Sequence, residues 1–125
     1  MRKSQAAGVT NGNLADLPNS PNAVSSQTSQ AAKQVDALPL KASVEHTKAS
    51  VINCLAKMGG NQIAAQTDDY IHAVFTSRLF RFKDDVEFYI DAAAGQLHFR
   101  SASRVGYSDM GANLKRYQAF SALYQ

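Results

Sequence analysis

The sequence predicts an α+β domain, an antiparallel sheet of four or five strands with two helices packed on one face. Two amphipathic segments and a block of alternating segments between them carry this expectation. In the helical segments apolar residues return every three or four positions, which places them on one side of a helix. In the block from Tyr70 to Ser103 they return every second position, so each strand turns one face to a core and the other away. Successive strands of this kind, joined by short turns, pair antiparallel with one covered and one open face.

Taken in order, residues 35–40 (VDALPL) suit a short edge strand, since Pro39 argues against a central one. Ser43 then caps a helix, with Glu45 in the first turn where the helix dipole favours an anion. Val44, Val51, Leu55 and Met58 form its apolar face, and Gly59-Gly60 ends it. Residues 61–67 are a strand candidate, with Asp68-Asp69 as the turn that follows. Residues 70–79 put Ile71, Ala73, Phe75 and Leu79 on one face and Tyr70, His72, Thr76 and Arg78 on the other. Residues 85–91 set Val86, Phe88 and Ile90 opposite Asp85, Glu87 and Tyr89. Ala92-Ala93-Ala94-Gly95 suits a hairpin connection, and residues 96–103 continue with Leu97 and Phe99 against His98 and Arg100. Ser108 is placed to cap a second helix, with Asp109 in its first turn. Its stripe runs through Met110, Leu114, Tyr117, Ser121 and Tyr124, with Phe120 at the edge. Both helices are expected to cover the same sheet face. The order β-α-β-β-β-β-α is that of TATA-binding-protein-like half-domains, an architectural likeness that implies no shared function.

Composition divides the chain. All of the six Phe and five Tyr lie at or after Tyr70, and residues 1–34 hold no aromatic residue. Such a stretch buries little against roughly 1–2 kcal/mol of backbone entropy per residue. Residues 1–16 are therefore expected to be a disordered tail. Residues 17–125 are expected to form one domain, with 17–34 as an irregular N-terminal part. Thirteen basic and ten acidic residues give a net charge of +3. Between Tyr70 and Asp109 the cations Arg78, Arg81, Lys83, Arg100 and Arg104 are matched by Asp84, Asp85, Glu87, Asp91 and Asp109. That balance speaks for internal pairing and against a phosphate-tracking surface, so no nucleic-acid partner is expected. Cys54, the single cysteine, excludes an intramolecular disulfide. No apolar run approaches the roughly 20 residues of a membrane span. The chain is expected to be soluble, and it reads equally as the mature part of an exported protein.

Three polar blocks stand out: SPNAVSSQ (20–27), DYIHAVFTSRLFRFKDDVEF (69–88) and RSASRVGYSDMGANLKR (100–116). They resemble the bacterial and plastid family designated domain of unknown function 1499, and the third block is the most specific. The resemblance implies no activity. It implies association with the cell envelope or periplasm, often through a lipoprotein or membrane-targeting leader, and no targeting segment is expected within this sequence. Members of that family often carry Cys where Ala23 stands and another near Leu17; both are absent here, and with them any disulfide they would form.

Read from the residues alone, His72, Arg78, Asp85, Glu87, Tyr89, His98 and Arg100 share the polar face of adjacent strands. Cross-strand neighbours lie about 4.5–5.5 Å apart, so Glu87 suits Arg78 or Arg100 as a partner. The plain reading is a set of exposed ion pairs, each contributing about 0–1 kcal/mol. The functional reading is a shallow pocket for an anionic ligand. At the second helix, Gly106 and Gly111 flank a helix N-terminus that can hold an anion, or Asp109 caps it and Arg104 pairs with Asp109 or Asp84. Candidate ligand-binding residues are Arg78, Asp85, Glu87, Arg100, Arg104, Asp109 and Asn113. No GxSxG elbow and no HExxH spacing is present, so no catalytic residue, metal or cofactor is assigned. His72 and His98 could meet across strands to hold a metal with Glu87, and Tyr107 is read as an anchor for the second helix. The expectation is a non-catalytic envelope module that binds a small anionic or lipid-derived ligand, or a protein partner. The alternative is a hydrolase or transferase using His72 or His98 with Asp85 or Glu87 as acid–base groups.

Overall fold

Among residues 6–106 and 109–125, which the computed structural model describes, eight strands and two α-helices follow one another, with a single 3-10 turn at Ala31–Lys33. They are β1 (Val9–Thr10), β2 (Asn13–Leu14), β3 (Ala23–Ser25), β4 (Leu38–Pro39), α1 (Val44–Met58), β5 (Asn61–Gln66), β6 (Tyr70–Thr76), β7 (Lys83–Asp91), β8 (Gln96–Ser103) and α2 (Ala112–Tyr124). Strands β3 and β5–β8 form an antiparallel sheet in the order β3-β8-β7-β6-β5, and β4 pairs with β8 farther along the same edge, making six strands. Pro39 thus sits on an edge strand, where its missing N–H costs no ladder bond. The α+β class and the pairing of β4 follow the expectation. The sheet is one strand larger because residues 23–25 also pair.

Local chemistry sets α1 as expected. Ser43 is extended, its Oγ accepts from the His46 N–H at 3.0 Å, and Gly59 ends the helix at φ 68°. Val51, Cys54 and Leu55 are buried, and Val44 and Met58 pack against the same cluster. Burial pushes the Cys54 thiol up, as suits a buried, unreactive core residue. In α2 the buried side chains are Asn113, Phe120 and Tyr124, with Tyr117 partly buried beside them. The helix starts at Ala112, so Met110 lies outside it and is exposed, and Leu114 points away from the core. The expected stripe through Met110 and Leu114 is therefore corrected by about one residue. Asn113 takes the core-facing place because buried polar partners await it. Phe88, Phe99 and Phe120 meet at centroid distances of 4.8–5.9 Å and join the helices to the sheet.

Strand β6 stops at Thr76. Leu79, expected on the covered face, is exposed in the following loop, and Arg78 is there with it. The N-terminal stretch, residues 1–16, is described only from residue 6 onward. Their described part, 6–16, contains a hairpin whose two-residue turn is Asn11-Gly12 at φ 52° and 78°. Both positive values are what a type I′ turn requires, and Asn-Gly supplies them with little strain. Gln27 holds the hairpin, accepting from the Leu14 N–H at 2.9 Å and donating to the Gly12 carbonyl at 2.9 Å. The sheet face expected to be open is thereby covered over β7 and β8, where five consecutive residues from Asp84 to Phe88 are buried.

Candidate functional site

Alternation along β7 sends Asp85 and Glu87 to one face of the sheet and Asp84 to the helix side. Three polar regions result. The first lies beneath the N-terminal segment. Glu87 and Arg100 are opposite one another in register and are 0% and 1% exposed. Arg100 Nη1 donates to Glu87 Oε1 at 3.2 Å, and Tyr70 Oη and the Gly8 N–H donate to Oε2 at 2.5 and 3.1 Å. The other guanidinium nitrogens donate to the carbonyls of Ala15 and Asp16 at 2.9 and 3.1 Å. Burial, together with donation to Glu87, pushes the Tyr70 phenol far up, so it stays protonated.

Next to it, Arg104 grips Asp85 with two bonds of 2.9 Å, one to each carboxylate oxygen. This hydrogen bonding raises the pKa of Arg104. His72 Nε2 donates to Asp85 Oδ1 at 2.8 Å. Arg104 therefore pairs with Asp85, not with Asp109 or Asp84, because only Asp85 shares its face. Glu87 faces His72 and Arg100 in register, not Arg78. The ion pairs expected to be exposed have buried carboxylates, with Arg100 buried and Arg104 and His72 half-buried. His98 stands opposite Tyr89, and β7 separates it from His72, so the two histidines do not come together around Glu87. His98 instead meets Ser26 Oγ through Nδ1 at 2.9 Å, and burial lowers its pKa.

The second region lies on the helix side. Asn113 accepts from Ser101 Oγ and Arg116 and donates to the Asn22 carbonyl, Ser103 Oγ and Asp109. Arg116 reaches Asp84 at 2.8 Å and lies 4.7 Å above the Phe75 ring. Asp109 precedes the helix and caps it, accepting from the Gly111 and Asn113 N–H groups at 2.8 and 3.1 Å. Those donors are committed to Asp109, which competes with any anion for this terminus. The caps and anchors expected at Ser108 and Tyr107 lie outside the described residues. Arg116 was missed by the sequence reading, and Asp84 was weighed there only as a partner of Arg104. The signal that could have found Arg116 is its position three residues after Asn113, on the same helix face.

The third region is different in kind. At the end of the sheet near the β6–β7 loop, Asn61, Gln62, Thr76, Arg78, Arg81 and Lys83 border an open hollow of about 450 Å³. No carboxylate lines it, and among the described residues its three cations make no ion pair. Lys83 Nζ donates to Thr76 Oγ1 at 3.2 Å. Of the seven residues expected to bind ligand, the structure puts Asp85 and Arg104 in one cluster and Glu87 and Arg100 beside them. Asp109 and Asn113 fall on the opposite side of the sheet, and Arg78 alone borders this hollow.

Fold and site together define a small α+β domain in which Asp84, Asp85 and Glu87 are paired internally with arginines, while Arg78, Arg81 and Lys83 border a hollow that no carboxylate lines. The chain belongs to the family described as Protein of unknown function (DUF1499), whose model matches residues 13–123. No curated protein and no solved structure matches it. No helix among the described residues is long and apolar enough to cross a membrane.

Proposed function

We propose that this domain is a non-catalytic module that binds a small anionic ligand in the basic hollow at the β5–β6 end of the sheet. The observation that carries the reading is the contrast in pairing. Asp84, Asp85 and Glu87 are each neutralised by an arginine, whereas Arg78, Arg81 and Lys83 converge on the hollow without a carboxylate. Guanidinium forks flanked by the amide of Gln62 and the hydroxyl of Thr76 suit a phosphate or carboxylate group. An acid–base reading is weakened by the same geometry: Asp85 is held by Arg104 and His72, and Glu87 by three donors, so neither carboxylate is available to move a proton. Placement at the cell envelope accompanies the proposal, supported by the family resemblance, and fractionation of the native host tests it.

Binding to the folded state raises the melting temperature by mass action. Pyrophosphate and citrate, added at increasing concentration, are expected to raise it for the full chain. The double variant Arg78→Ala/Arg81→Ala is expected to lose that response while melting within about 2 °C of the parent without ligand. A parent that shows no response to either anion, or a double variant that responds equally, rejects the reading.

A further inference from the structure

We propose that the β6–β7 loop, residues 77–82, docks this domain onto the surface of an anionic lipid bilayer. The inference goes beyond the anion site, since it rests on apolar side chains that the hollow does not use. Leu79, Phe80 and Phe82 are 80%, 69% and 53% exposed, while Phe88, Phe99 and Phe120 are fully buried. In a domain this size, three large apolar groups presented by one short loop are a cost to solubility that calls for a partner surface.

The exposure is built into the loop. The Ser77 N–H donates to the Phe82 carbonyl and the Phe82 N–H to Ser77 Oγ, both at 2.8 Å, which closes the loop at its base. Arg81 adopts φ 57°, and the rings of Phe80 and Phe82 stack at 5.5 Å. The tip is thus held away from the core, and its apolar groups point outward together.

Charge selects the partner. Arg78, Arg81 and Lys83 alternate with the apolar residues and form no ion pair among the described residues. The adjoining acids Asp84 and Asp85 are buried and paired, so no exposed carboxylate lies in the loop or at the start of β7. Aromatic and leucine side chains framed by arginines match the boundary between headgroups and acyl chains, where rings enter the apolar layer and guanidinium groups meet lipid phosphates. A negative bilayer surface satisfies both halves of the patch at every point, and each nearby cation strengthens the attraction about fivefold. One such loop gives reversible attachment, not a permanent anchor.

The chain contains no tryptophan, so Phe80→Trp introduces a single indole at the tip. With vesicles of phosphatidylcholine and phosphatidylglycerol, its emission is expected to shift to the blue and to be quenched by brominated acyl chains. Pure phosphatidylcholine vesicles are expected to bind far less. Arg78→Gln and Arg81→Gln are each expected to weaken partitioning about fivefold, and raised salt is expected to weaken it further. The variant Leu79→Ser/Phe80→Ser/Phe82→Ser is expected to stop cosedimenting with anionic vesicles while keeping its thermal response to pyrophosphate. Three results overturn docking: no emission change on anionic vesicles, undiminished cosedimentation of the triple variant, or an emission shift that follows protein concentration without lipid. Loss of vesicle binding with the pyrophosphate response intact in the parent removes docking alone. Vesicle binding in a parent that ignores pyrophosphate upholds docking and removes the anion site.

Discussion

Arginine plays opposite parts at the middle of β7 and in the loop that precedes it. Toward its middle, Arg100 is buried against Glu87, and its remaining donors reach two backbone carbonyls. Before its start, Arg78 and Arg81 stand in a solvent-facing loop beside exposed phenylalanines. The same side chain is a structural part where a carboxylate and carbonyls surround it, and a candidate contact where they do not. Removing the first leaves a buried charge without a partner; removing the second leaves the fold as it was. Stability and recognition are thus assigned to different arginines, and each assignment can be broken by experiment.

The sharpest break is Arg100→Ala. It strands Glu87 in a dry site, and urea melts are expected to show a loss of about 3–5 kcal/mol. A loss under about 1 kcal/mol would mean that water reaches the pair and that the two regions do not differ. Replacing both partners by Met and Leu is expected to recover much of the loss, because no unpaired charge remains.

Deleting residues 1–16 tests what covers that pair. It removes the Ala15 and Asp16 carbonyls from Arg100, the Gly8 N–H from Glu87 and the buried Leu14. Water replaces part of this bonding, so a loss of about 2 kcal/mol is expected, measured by chemical unfolding of the shortened chain. An unchanged unfolding midpoint would show that the N-terminal segment adds nothing to the network.

A smaller effect depends on pH. Burial lowers the pKa of His98 below its ordinary 6.5, so the unfolded chain takes up a proton there before the folded one does. The contribution of a neutral His98 is complete above pH 6.5 and is lost as pH falls through its folded value. His98→Asn is therefore expected to flatten the fall in unfolding midpoint between neutral pH and pH 5, compared with the parent. A variant whose midpoint falls as steeply as the parent's contradicts the assignment.

Least of all, Arg81→Ala is expected to move stability by about 0.5 kcal/mol or less, since the side chain is exposed and makes no ion pair among the described residues. A larger loss would make this arginine a structural one as well and erase the contrast.

Much of the framework was legible in the residues themselves. Ser43, Gly59 and the spacing of Val44, Val51, Leu55 and Met58 define α1 through local hydrogen bonds and periodicity. Phe88 and Phe99 fall on the covered face because strand alternation fixes facing once the register is known, and they are paired in that register. The Asn11-Gly12 turn was equally local, yet lay in a stretch whose poor apolar content suggested no structure.

What alternation shows is the side of the sheet a residue occupies, not whether that side is wet. The partners of the Glu87–Arg100 pair come from residues 8, 15, 16 and 70, and those of Asn113 from residues 22, 101, 103, 109 and 116. Sequence by itself determined the strands from β4 to β8, the first helix and the balance of charge, because these depend on neighbours a few residues away. Only tertiary structure decided which charges are buried and which arginines remain outside. Burial depends on segments some eighty residues apart folding over one face, and no local pattern reports that distance.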